Sequence, residues 1–424
     1  MNYQAKKNSL EKDYYGFNSA LKIIEPEIMA CNLPLKLDPY LGCEHNCTYC
    51  YARGILYRYK NWHEGIVKHI DPELLRKRLD KILISSQEPR NPINRALWYR
   101  FPIRIGTNTD PFTPYEAECK VTKRILEILN EYEYPYILNT KSDMVAEEEY
   151  VNLLKNTPKG AIVQFTIISL NTDLIEKIEP GAPAVRKRLE AMKTLTEKGI
   201  YTQTRISPII PKYTDDVESM QALLKVLKSS GCQDVIVEYL RYNSFIRKWI
   251  SEAMGMPESH LDNIYSEEYR ECSSSFPDCC QKNRNRFGCS WNPHPKMVNG
   301  YIRMPLRLKL ERYRLFKEEA RKVGLRLYVC SEEFPEINDC VNCCGIKGEE
   351  ARKHLKFDHD NEACANTLPC YIKEKGEVTS EEVLNDFFSI DRETFAKRFD
   401  RLDEYLVNVK KGQKGWIYDH NFPV

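Results

Sequence analysis

The sequence predicts an α/β fold, a partial (βα)6 TIM-like barrel with an irregular insertion and a small cysteine-rich C-terminal domain. Short β-rich runs alternate with amphipathic runs between residues 36 and 240, and the alternation then stops. Strands that alternate with helices form parallel sheets of right-handed βα units. Six such units curl into an open barrel, so functional groups are expected at the carboxyl ends of its strands.

Six runs rich in β-branched and aromatic residues are the predicted strands. Amphipathic runs separate them. In Lys120–Tyr132, Val121 and Ile125 recur at helical spacing. Ala184–Gly199 ends with a glycine, which is typical of the position after a helix. The strands are predicted at Leu35–Leu41, Ile103–Thr107, Tyr136–Thr140, Ala161–Ile168, Tyr201–Ser207 and Asp234–Tyr239.

Four segments follow from this pattern: an N-terminal extension, the barrel, an insertion that includes a basic helix, and a cysteine-rich C-terminal domain. The insertion has no hydrophobic period before the basic helix, which is predicted at Pro305–Lys322. The C-terminal domain opens with the strand-like run LRLYVC. The extension is residues 1–35, the barrel 36–240, the insertion with the basic helix 241–324, and the C-terminal domain 325–424.

The charge balance, the apolar runs and the cysteine count limit the classes of protein to which this chain can belong. The 424 residues include 63 Lys and Arg against 61 Asp and Glu, so a nucleic-acid surface would have to be a local patch. The N-terminus lacks the apolar run of a signal peptide, and no stretch reaches the roughly 18 apolar residues that span a bilayer. The chain is therefore predicted to be cytoplasmic, without a membrane partner. Cysteines stay reduced in the cytoplasm, so the 16 cysteines of this chain indicate metal ligation.

The first predicted strand ends at a cysteine motif. Cys43, Cys47 and Cys50 have the spacing C-x3-C-x2-C. A compact loop with this spacing can present three thiolates to one face of a metal cluster. Soft thiolates select iron–sulfur, zinc or copper(I). Three ligands instead of four leave one iron open, as a catalytic metal requires.

The flanking residues, DPYLGCEHNCTYCYAR, resemble the cluster loop of radical S-adenosylmethionine (SAM) enzymes, particularly the spore photoproduct lyase clade. The resemblance covers about residues 36–240, and it makes the predicted barrel one of the radical SAM type. Four downstream segments are similar in order and spacing to that clade: IGTNTDPFTPYE (105–116), ILNTKSDMV (137–145), FTIISLNTDLIEKIEPGAP (165–183) and RISPIIP (205–211).

The resemblance implies a mechanism and its cofactors. Cys43, Cys47 and Cys50 would hold a [4Fe-4S] cluster, and SAM would chelate the open iron. A one-electron reductant such as flavodoxin or ferredoxin would drive cleavage of SAM to methionine and a 5′-deoxyadenosyl radical, which abstracts a substrate hydrogen. Tyr49, between two ligands, would contact adenine.

Other polar residues at strand ends are candidates for SAM or substrate contacts. Ser142 and Thr166 can hydrogen-bond ribose or carboxylate, and Arg188 can clamp a carboxylate. Alternatively, Thr166 is a core residue and Arg188 a solvated helix residue. Asp110 and Glu116 are the predicted catalytic carboxylates, facing substrate. Their alternative roles are a turn residue and a helix cap.

One departure from the clade concerns the substrate. Spore photoproduct lyase has a hydrogen-donor cysteine in a C-T-S-D run after its third strand. The matching run here begins with Thr140 and Lys141. A threonine O–H bond is too strong to return a hydrogen atom to a carbon radical. Another cysteine can substitute, but the simpler interpretation is a substrate other than a thymine dimer.

The C-terminal region is predicted to hold a second metal site. Its ligands are predicted among Cys330, Cys340, Cys343 and Cys364, near Cys344 and Cys370. An iron–sulfur cluster is favoured over structural zinc, for which His359 is a further candidate ligand; the alternative is a set of buried thiols. In the insertion, Cys272, Cys279, Cys280, Cys289 and His294 form a third metal site or are incidental thiols, and Cys31, Cys119 and Cys232 are ordinary thiols.

Residues 282–326 hold 13 Lys and Arg against 3 Glu, a local excess of 10. Aromatic residues interleave with these charges, a pattern that suits a single-stranded or flipped-base substrate, with Arg303, Arg307 and Arg314 as substrate-binding residues. The alternative is a solvated helix face with core aromatics. The predicted function is repair or modification of a nucleic-acid base. The alternatives are radical modification of a peptide or small molecule with an auxiliary cluster, and a non-catalytic, zinc-stabilised nucleic-acid-binding protein.

Overall fold

The computed structural model describes residues 21–23, 35–56, 67–87, 89, 94, 97–276, 301–330, 337–339, 344–345 and 353–355. Its main sheet has eight strands in the order β1-β2-β5-β6-β7-β8-β9-β10, and β3 and β4 form a second, two-stranded sheet. The strands are β1 Leu21–Ile23, β2 Leu35–Leu37, β3 Tyr40–Leu41, β4 Lys68–His69, β5 Ile103–Ile105, β6 Tyr136–Thr140, β7 Ala161–Thr166, β8 Tyr201–Ile209, β9 Asp234–Tyr239 and β10 Arg326–Val329.

Seven strands of the main sheet run parallel. The pairs from β2 to β10 are all parallel, and only β1 is antiparallel, with Leu21 opposite Leu37. Helices connect the parallel strands, as βα units require. The predicted α/β fold and partial barrel are therefore confirmed, and the seventh parallel strand, β10, is the run LRLYVC, which was predicted as a strand of the C-terminal domain.

The helices pack against the sheet and against one another. They are α1 Tyr51–Leu56, α2 Pro72–Leu83, α3 Glu116–Cys119, α4 Val121–Glu131, α5 Glu148–Lys155, α6 Thr172–Ile178, α7 Val185–Glu197, α8 Val217–Ser229, α9 Ser244–Met254, α10 Ser259–Ser275 and α11 Leu306–Lys322, with a 3-10 turn at Asp143–Ala146. Strand residues such as Leu138 and Phe165 join helix residues such as Leu126 and Met192 in one buried apolar cluster. This cluster is the main core.

The opposite face of the sheet is polar. Successive strand residues point to opposite faces, so the neighbours of the core residues line the inside of the barrel. Gln164 and Gln203 are fully buried there, and Gln164 donates a hydrogen bond of 2.7 Å to Gln203. Gln203 also donates to Asp234 at 2.7 Å. An interior of this kind suits polar ligands better than apolar ones.

Two predictions about the later segments need correction. The insertion is helical from 244 to 275 rather than irregular, because α9 buries Ile246 and Ile250 and α10 buries Leu261 and Tyr265 at helical spacing. Cys272 is one of the buried residues of α10. The boundary before residue 325 is also wrong, because β10 pairs with β9 in the barrel sheet.

Several predicted residues lie outside the described part of the chain. They are Cys31, Cys279, Cys280, Cys289, His294, Cys340, Cys343, His359, Cys364 and Cys370. Within the described helices, none is long and apolar enough to cross a bilayer.

Candidate active site at the cysteine loop

The three motif cysteines lie on a short loop, residues 42–50, between β3 and α1. Cys47 is buried, Cys43 and Cys50 are half-buried, and all three are free thiols. The N–H of Cys50 donates to the Cys47 carbonyl at 3.3 Å, and the N–H of Arg53 donates to the Cys50 sulfur at 3.4 Å. The loop therefore leaves one end of the barrel and turns directly into a helix.

Backbone contacts fasten this loop to the connection between α6 and α7. The N–H of Thr48 donates to the Ile178 carbonyl at 2.9 Å, and the N–H of Gly181 donates to the His45 carbonyl at 3.0 Å. The two backbones pass so closely that a Cβ at Gly181 would overlap the carbonyl oxygen of Glu44. A glycine is required at this position for the loop to sit where it does.

A buried ion pair supports the same junction. The guanidinium of Arg188 lies 2.5 Å from the carboxylate of Glu179, and neither side chain is exposed. Glu179 also accepts a hydrogen bond from the hydroxyl of Tyr49. Burial and this carboxylate raise the pKa of Tyr49. Tyr49 is therefore held as a neutral donor inside the loop.

The contacts of Arg188 contradict both of the roles that the sequence suggested for it. Its Nε donates to the Pro183 carbonyl at 2.7 Å and its Nη1 to the Thr166 carbonyl at 3.1 Å. Its Nη2 faces Glu179. The side chain is fully buried and committed to protein groups, so it is neither a solvated helix residue nor a clamp for a ligand carboxylate. Thr166 is buried at the end of β7, on the same face as Gln164, so a SAM contact by Thr166 stays a prediction.

Asp110 occupies the turn after β5. Its carboxylate accepts hydrogen bonds from the N–H groups of Phe112 and Lys141, at 2.9 and 2.7 Å, and from the Thr140 hydroxyl at 2.7 Å. His45 of the cysteine loop lies 3.4 Å away. Burial alone would raise the pKa of Asp110, but these partners outweigh it and lower it to about 2. The geometry favours the turn interpretation over a substrate-facing carboxylate.

Glu116 is fully buried and caps helix α4. It accepts from the N–H groups of Thr122 and Lys123, both at 2.9 Å, and from the hydroxyls of Tyr40 and Tyr150. A carboxylate with four donors has no lone pair aimed at a ligand. The helix-cap interpretation therefore holds for this predicted catalytic residue.

Ser142 begins the 3-10 turn that follows β6. Its hydroxyl accepts from the N–H of Met144 at 3.3 Å, and its own N–H donates to the Thr140 hydroxyl at 2.8 Å. The hydroxyl hydrogen remains available to a ligand. A SAM contact by Ser142 therefore stays a prediction.

Three residues near the loop were not singled out from the sequence. Asp38 accepts from the N–H groups of Thr107 and Asn108 at 2.7 and 2.8 Å and shapes the turn after β5. Tyr51, 46% exposed, donates to the Thr107 carbonyl at 2.7 Å. Lys141 places its ammonium 5.5 Å from the centre of the Tyr49 ring. The sequence signal that could have identified these residues is their position, because each adjoins a strand end or the cysteine motif.

Burial and nearby charges set the pKa values of the loop thiols. Burial raises the pKa of Cys47 to about 12, partly offset by Lys141, and burial also raises the pKa of Cys43. Burial opposes the charge of Lys141, yet Cys47 and Glu179 keep its pKa raised. The Lys141 cation therefore offsets only part of the burial effect on Cys47, in the direction of the thiolate that binds metal.

The donor set fits an iron–sulfur cluster. No three His, Cys, Asp or Glu among the described residues converge closely enough to hold one metal ion. Cluster thiolates bind separate irons, so they need not meet that condition. Three free thiols on a fastened loop at the end of a parallel barrel are the arrangement that such a cluster requires.

The predicted substrate-binding arginines lie on or before α11. Arg307 and Arg314 both pair with Glu311, at 2.6 and 3.0 Å. The Arg303 carbonyl accepts from the Tyr269 hydroxyl at 3.2 Å. Elsewhere on α11, Arg312, Lys317, Arg321 and Lys322 also pair with carboxylates. Most of the cations of α11 are thus paired with carboxylates.

Comparisons with known proteins agree with this geometry. The radical SAM superfamily model matches residues 37–224. The uncharacterized protein MJ0683 of Methanocaldococcus jannaschii is 31% identical over 208 residues, 47% of this chain and 71% of that protein. The radical SAM Nalpha-GlyT isomerase of Pseudomonas phage M6 is 22% identical over 296 residues, 70% of this chain and 53% of its own.

A solved structure with a similar course is a spore photoproduct lyase mutant with bound AdoMet and dinucleoside spore photoproduct. It is 14% identical, with a TM-score of 0.47, over 74% of this chain and 80% of that one. The family model spans the cysteine loop and most of the parallel strands, and MJ0683 is matched over most of its length. The chain belongs to the radical SAM superfamily.

Proposed function

We propose that this radical SAM enzyme holds a [4Fe-4S] cluster at Cys43, Cys47 and Cys50 and uses it to cleave SAM reductively. The observation that carries the proposal is the attachment of the cysteine loop to Ile178 and Gly181 by backbone hydrogen bonds of 2.9 and 3.0 Å. A cluster needs thiolates held in one geometry. Family membership favours an enzyme over a non-catalytic, zinc-stabilised binding protein.

When bound, the cluster and SAM supply the 5′-deoxyadenosyl radical that abstracts a substrate hydrogen. The protein's own residues position this chemistry. Gly181 and Thr48 fix the loop, and Glu179 with Arg188 fixes Tyr49 between two of the thiols. Lys141 supplies a positive charge beside the thiolates. Radical SAM enzymes need an electron donor, and flavodoxin or ferredoxin would fill that role here.

As substrate we propose a nucleic-acid base that is repaired or modified. The support is the similarity of five sequence segments to the spore photoproduct lyase clade. At the position of that clade's hydrogen-donor cysteine, Thr140 donates its hydroxyl to Asp110 at 2.7 Å. A hydroxyl engaged in this way is no hydrogen-atom donor. The proposed chemistry therefore differs from thymine-dimer reversal through this position.

A peptide or small molecule is the second candidate substrate. One observation favours it: Arg307 and Arg314, two of the three arginines expected to contact phosphates, both pair with Glu311 of their own helix. Paired cations neutralise fewer phosphates, and phosphate contacts dominate nucleic-acid affinity.

The enzymatic proposal is tested by product formation. Anaerobically reconstituted protein is incubated with SAM and dithionite, and 5′-deoxyadenosine is measured. A variant with Cys43, Cys47 and Cys50 all replaced by alanine is the control, and it should form none. Wild-type protein that binds iron and sulfide yet forms no 5′-deoxyadenosine would contradict the proposal.

The substrate is tested by charge reversal. Arg303→Glu, Arg307→Glu and Arg314→Glu are combined, and binding of a single-stranded oligonucleotide is measured against salt concentration. A nucleic-acid substrate predicts weaker binding and a shallower salt slope. A triple reversal at exposed positions of α7, Arg186→Glu, Lys187→Glu and Lys193→Glu, is the matched control. Wild-type affinity that stays flat with salt would favour the second candidate.

A further inference from the structure

The inner face of the barrel carries a guanidinium, that of Arg205, in the middle of β8. Side chains alternate along a strand, so Arg205 shares a face with Gln203, which lines the inside of the barrel. In register, Arg205 lies beside Thr166 of β7 and Ile236 of β9. A ligand that enters from the carboxyl ends of the strands, where the cysteine loop lies, therefore approaches this guanidinium.

One row deeper in the barrel, the charges are paired within the protein. Asp234 of β9 is fully buried and lies in register with Gln203 and Arg326. Its carboxylate lies 2.6 Å from the Arg326 guanidinium, and it accepts hydrogen bonds from the Tyr201 hydroxyl at 2.6 Å and the Gln203 amide at 2.7 Å. No ligand is needed to balance this row.

The contacts of Arg205 are different. Its Nη2 donates to the sulfur of Cys330 at 3.0 Å, and a thiol is only a weak acceptor. Its Nη1 is buried without a hydrogen bond. The carboxylate of Glu238 pairs with Arg241 at 2.7 Å and accepts from the Ser207 hydroxyl at 3.2 Å. Within the described part of the chain, no carboxylate forms an ion pair with Arg205, although a buried cation needs an anionic partner.

The sulfur beside Arg205 belongs to a residue predicted to bind a second metal. Cys330 follows β10, and Cys344, near the same predicted site, is buried and accepts from the Nη2 of Arg104 at 3.2 Å. No three candidate ligands converge on one metal ion among the residues that the structure describes. The metal site stays a prediction, and support of a metal-bound sulfur is the competing role for Arg205.

We propose that Arg205 binds a phosphate of the substrate inside the barrel, an assignment that rests on the nucleic-acid substrate of the proposed function. A guanidinium keeps its charge and offers fixed donors that match phosphate oxygens. A base that enters the barrel is flipped out of its strand, and a flanking phosphate accompanies it. Because Arg307 and Arg314 of α11 are paired with Glu311, the cation for this phosphate has to come from elsewhere.

The charge of Glu238 limits where the phosphate lies. Burial would raise the pKa of this carboxyl, but Arg241 and Arg205 outweigh it and lower the pKa, so the group is ionised at neutral pH. Like charges repel, and the repulsion weakens with distance. The phosphate is therefore expected on the side of Arg205 that faces β7, where Thr166 is its neighbour in register, rather than on the side of β9.

The test measures binding of matched probes to full-length, anaerobically reconstituted protein. Each deoxynucleoside 5′-monophosphate is compared with its nucleoside by titration calorimetry. We expect the wild type to bind the monophosphates about tenfold or more tightly, because charge-assisted hydrogen bonds are stronger than neutral ones. Arg205→Gln should remove this preference and leave nucleoside binding unchanged. Arg326→Gln is the matched control and should keep the preference, since Arg326 is paired with Asp234.

Several outcomes would overturn the assignment. Equal affinity of the wild type for nucleosides and monophosphates would do so, as would a preference that survives in Arg205→Gln. Loss of iron or zinc from Arg205→Gln in step with the preference would assign Arg205 to the metal-bound sulfur instead. A peptide carboxylate that binds through Arg205, without a preference for phosphate, would favour the second candidate substrate.

A second measurement covers an Arg205→Gln variant that fails to fold. In the wild type, inorganic phosphate should compete with the monophosphates and leave nucleoside binding unchanged. Phosphate that competes with neither probe would overturn the assignment. Nucleosides that bind without a phosphate preference contradict the role of Arg205 alone, whereas failure of both probes to bind also contradicts the nucleic-acid substrate. Formation of 5′-deoxyadenosine without any nucleotide is scored separately, so failure of the radical SAM proposal is distinguishable.

Discussion

The Arg188 guanidinium lies 2.5 Å from the Glu179 carboxylate, and both side chains are completely buried. Glu179 also accepts from the hydroxyl of Tyr49, in the cysteine loop. Arg188 donates further to the carbonyls of Pro183 and Thr166. One ion pair therefore joins the loop, the connection between α6 and α7, and the end of β7.

Arg188→Met should strongly destabilise the protein. The substitution leaves a buried carboxylate without its cation, which costs about 3–5 kcal/mol of unfolding free energy. Urea unfolding of the metal-free protein measures the loss. Arg186→Met is the matched control on the same helix, because Arg186 is 79% exposed and its pair with Glu190 should contribute less than about 1 kcal/mol. Equal losses in the two variants would contradict the structural role of the pair.

Gly181→Ala should displace the cysteine loop. Its new Cβ would overlap the Glu44 carbonyl, and a backbone atom yields less readily than a flexible side chain. We expect the reconstituted variant to bind less iron and form less 5′-deoxyadenosine. Gly255→Ala is the control, since Gly255 has a φ of +65° and open space around it. That variant carries backbone strain without a clash near the loop, so iron loss of the same size in both would argue against loop displacement.

The sequence predicted the strands better than the roles of single residues. Tyr136–Thr140 and Asp234–Tyr239 match the structure at both ends, because each is a short run rich in aromatic and β-branched or aliphatic residues. Arg188 stands among charged helix neighbours and looks solvated in sequence. Its burial comes from tertiary contacts with Glu179 and with the carbonyls of Pro183 and Thr166, which leave no local pattern.

Glu116→Gln separates the helix-cap role from a catalytic one. Glu116 accepts from two N–H groups at the start of α4 and from two tyrosine hydroxyls. The amide of glutamine replaces one acceptor oxygen with a donor, so we expect a loss of about 1–3 kcal/mol in unfolding free energy. Formation of 5′-deoxyadenosine per folded molecule should stay near wild type. A stable variant with abolished turnover would restore the catalytic interpretation, and Glu118→Gln on the exposed side of α3 is the control.

Arg312 is a largely buried cation of α11 whose carboxylate partners lie outside that helix. Its Nη1 lies 2.6 Å from Asp215 and its Nη2 lies 2.5 Å from Glu268. Burial raises the pKa of both carboxyls, and Arg312 lowers them only in part. Two other charged groups face the cluster: Glu271 at 3.4 Å from Arg312 and Lys212 at 3.6 Å from Glu268.

These raised pKa values set the sign of a pH effect. A carboxyl whose pKa is higher in the folded state binds its proton more tightly there, so its contribution to stability is greatest at low pH and declines as the pH rises through the folded pKa. Arg312→Met removes the cation that opposes this rise. Urea unfolding should therefore show a larger loss of stability at about pH 7.5 than at about pH 4.5, where more of each carboxyl is protonated.

The matched control for this pH effect is Arg314→Met on the same helix. Arg314 is 45% exposed and pairs with Glu311, which is also accessible to solvent, so its removal should cost less than about 1 kcal/mol at either pH. The difference between the two variants isolates the buried cluster from the net charge of the helix. If Arg312→Met costs the same at both pH values, the carboxyls do not titrate against this guanidinium. Its role is then packing, through the stem of the side chain rather than its charge.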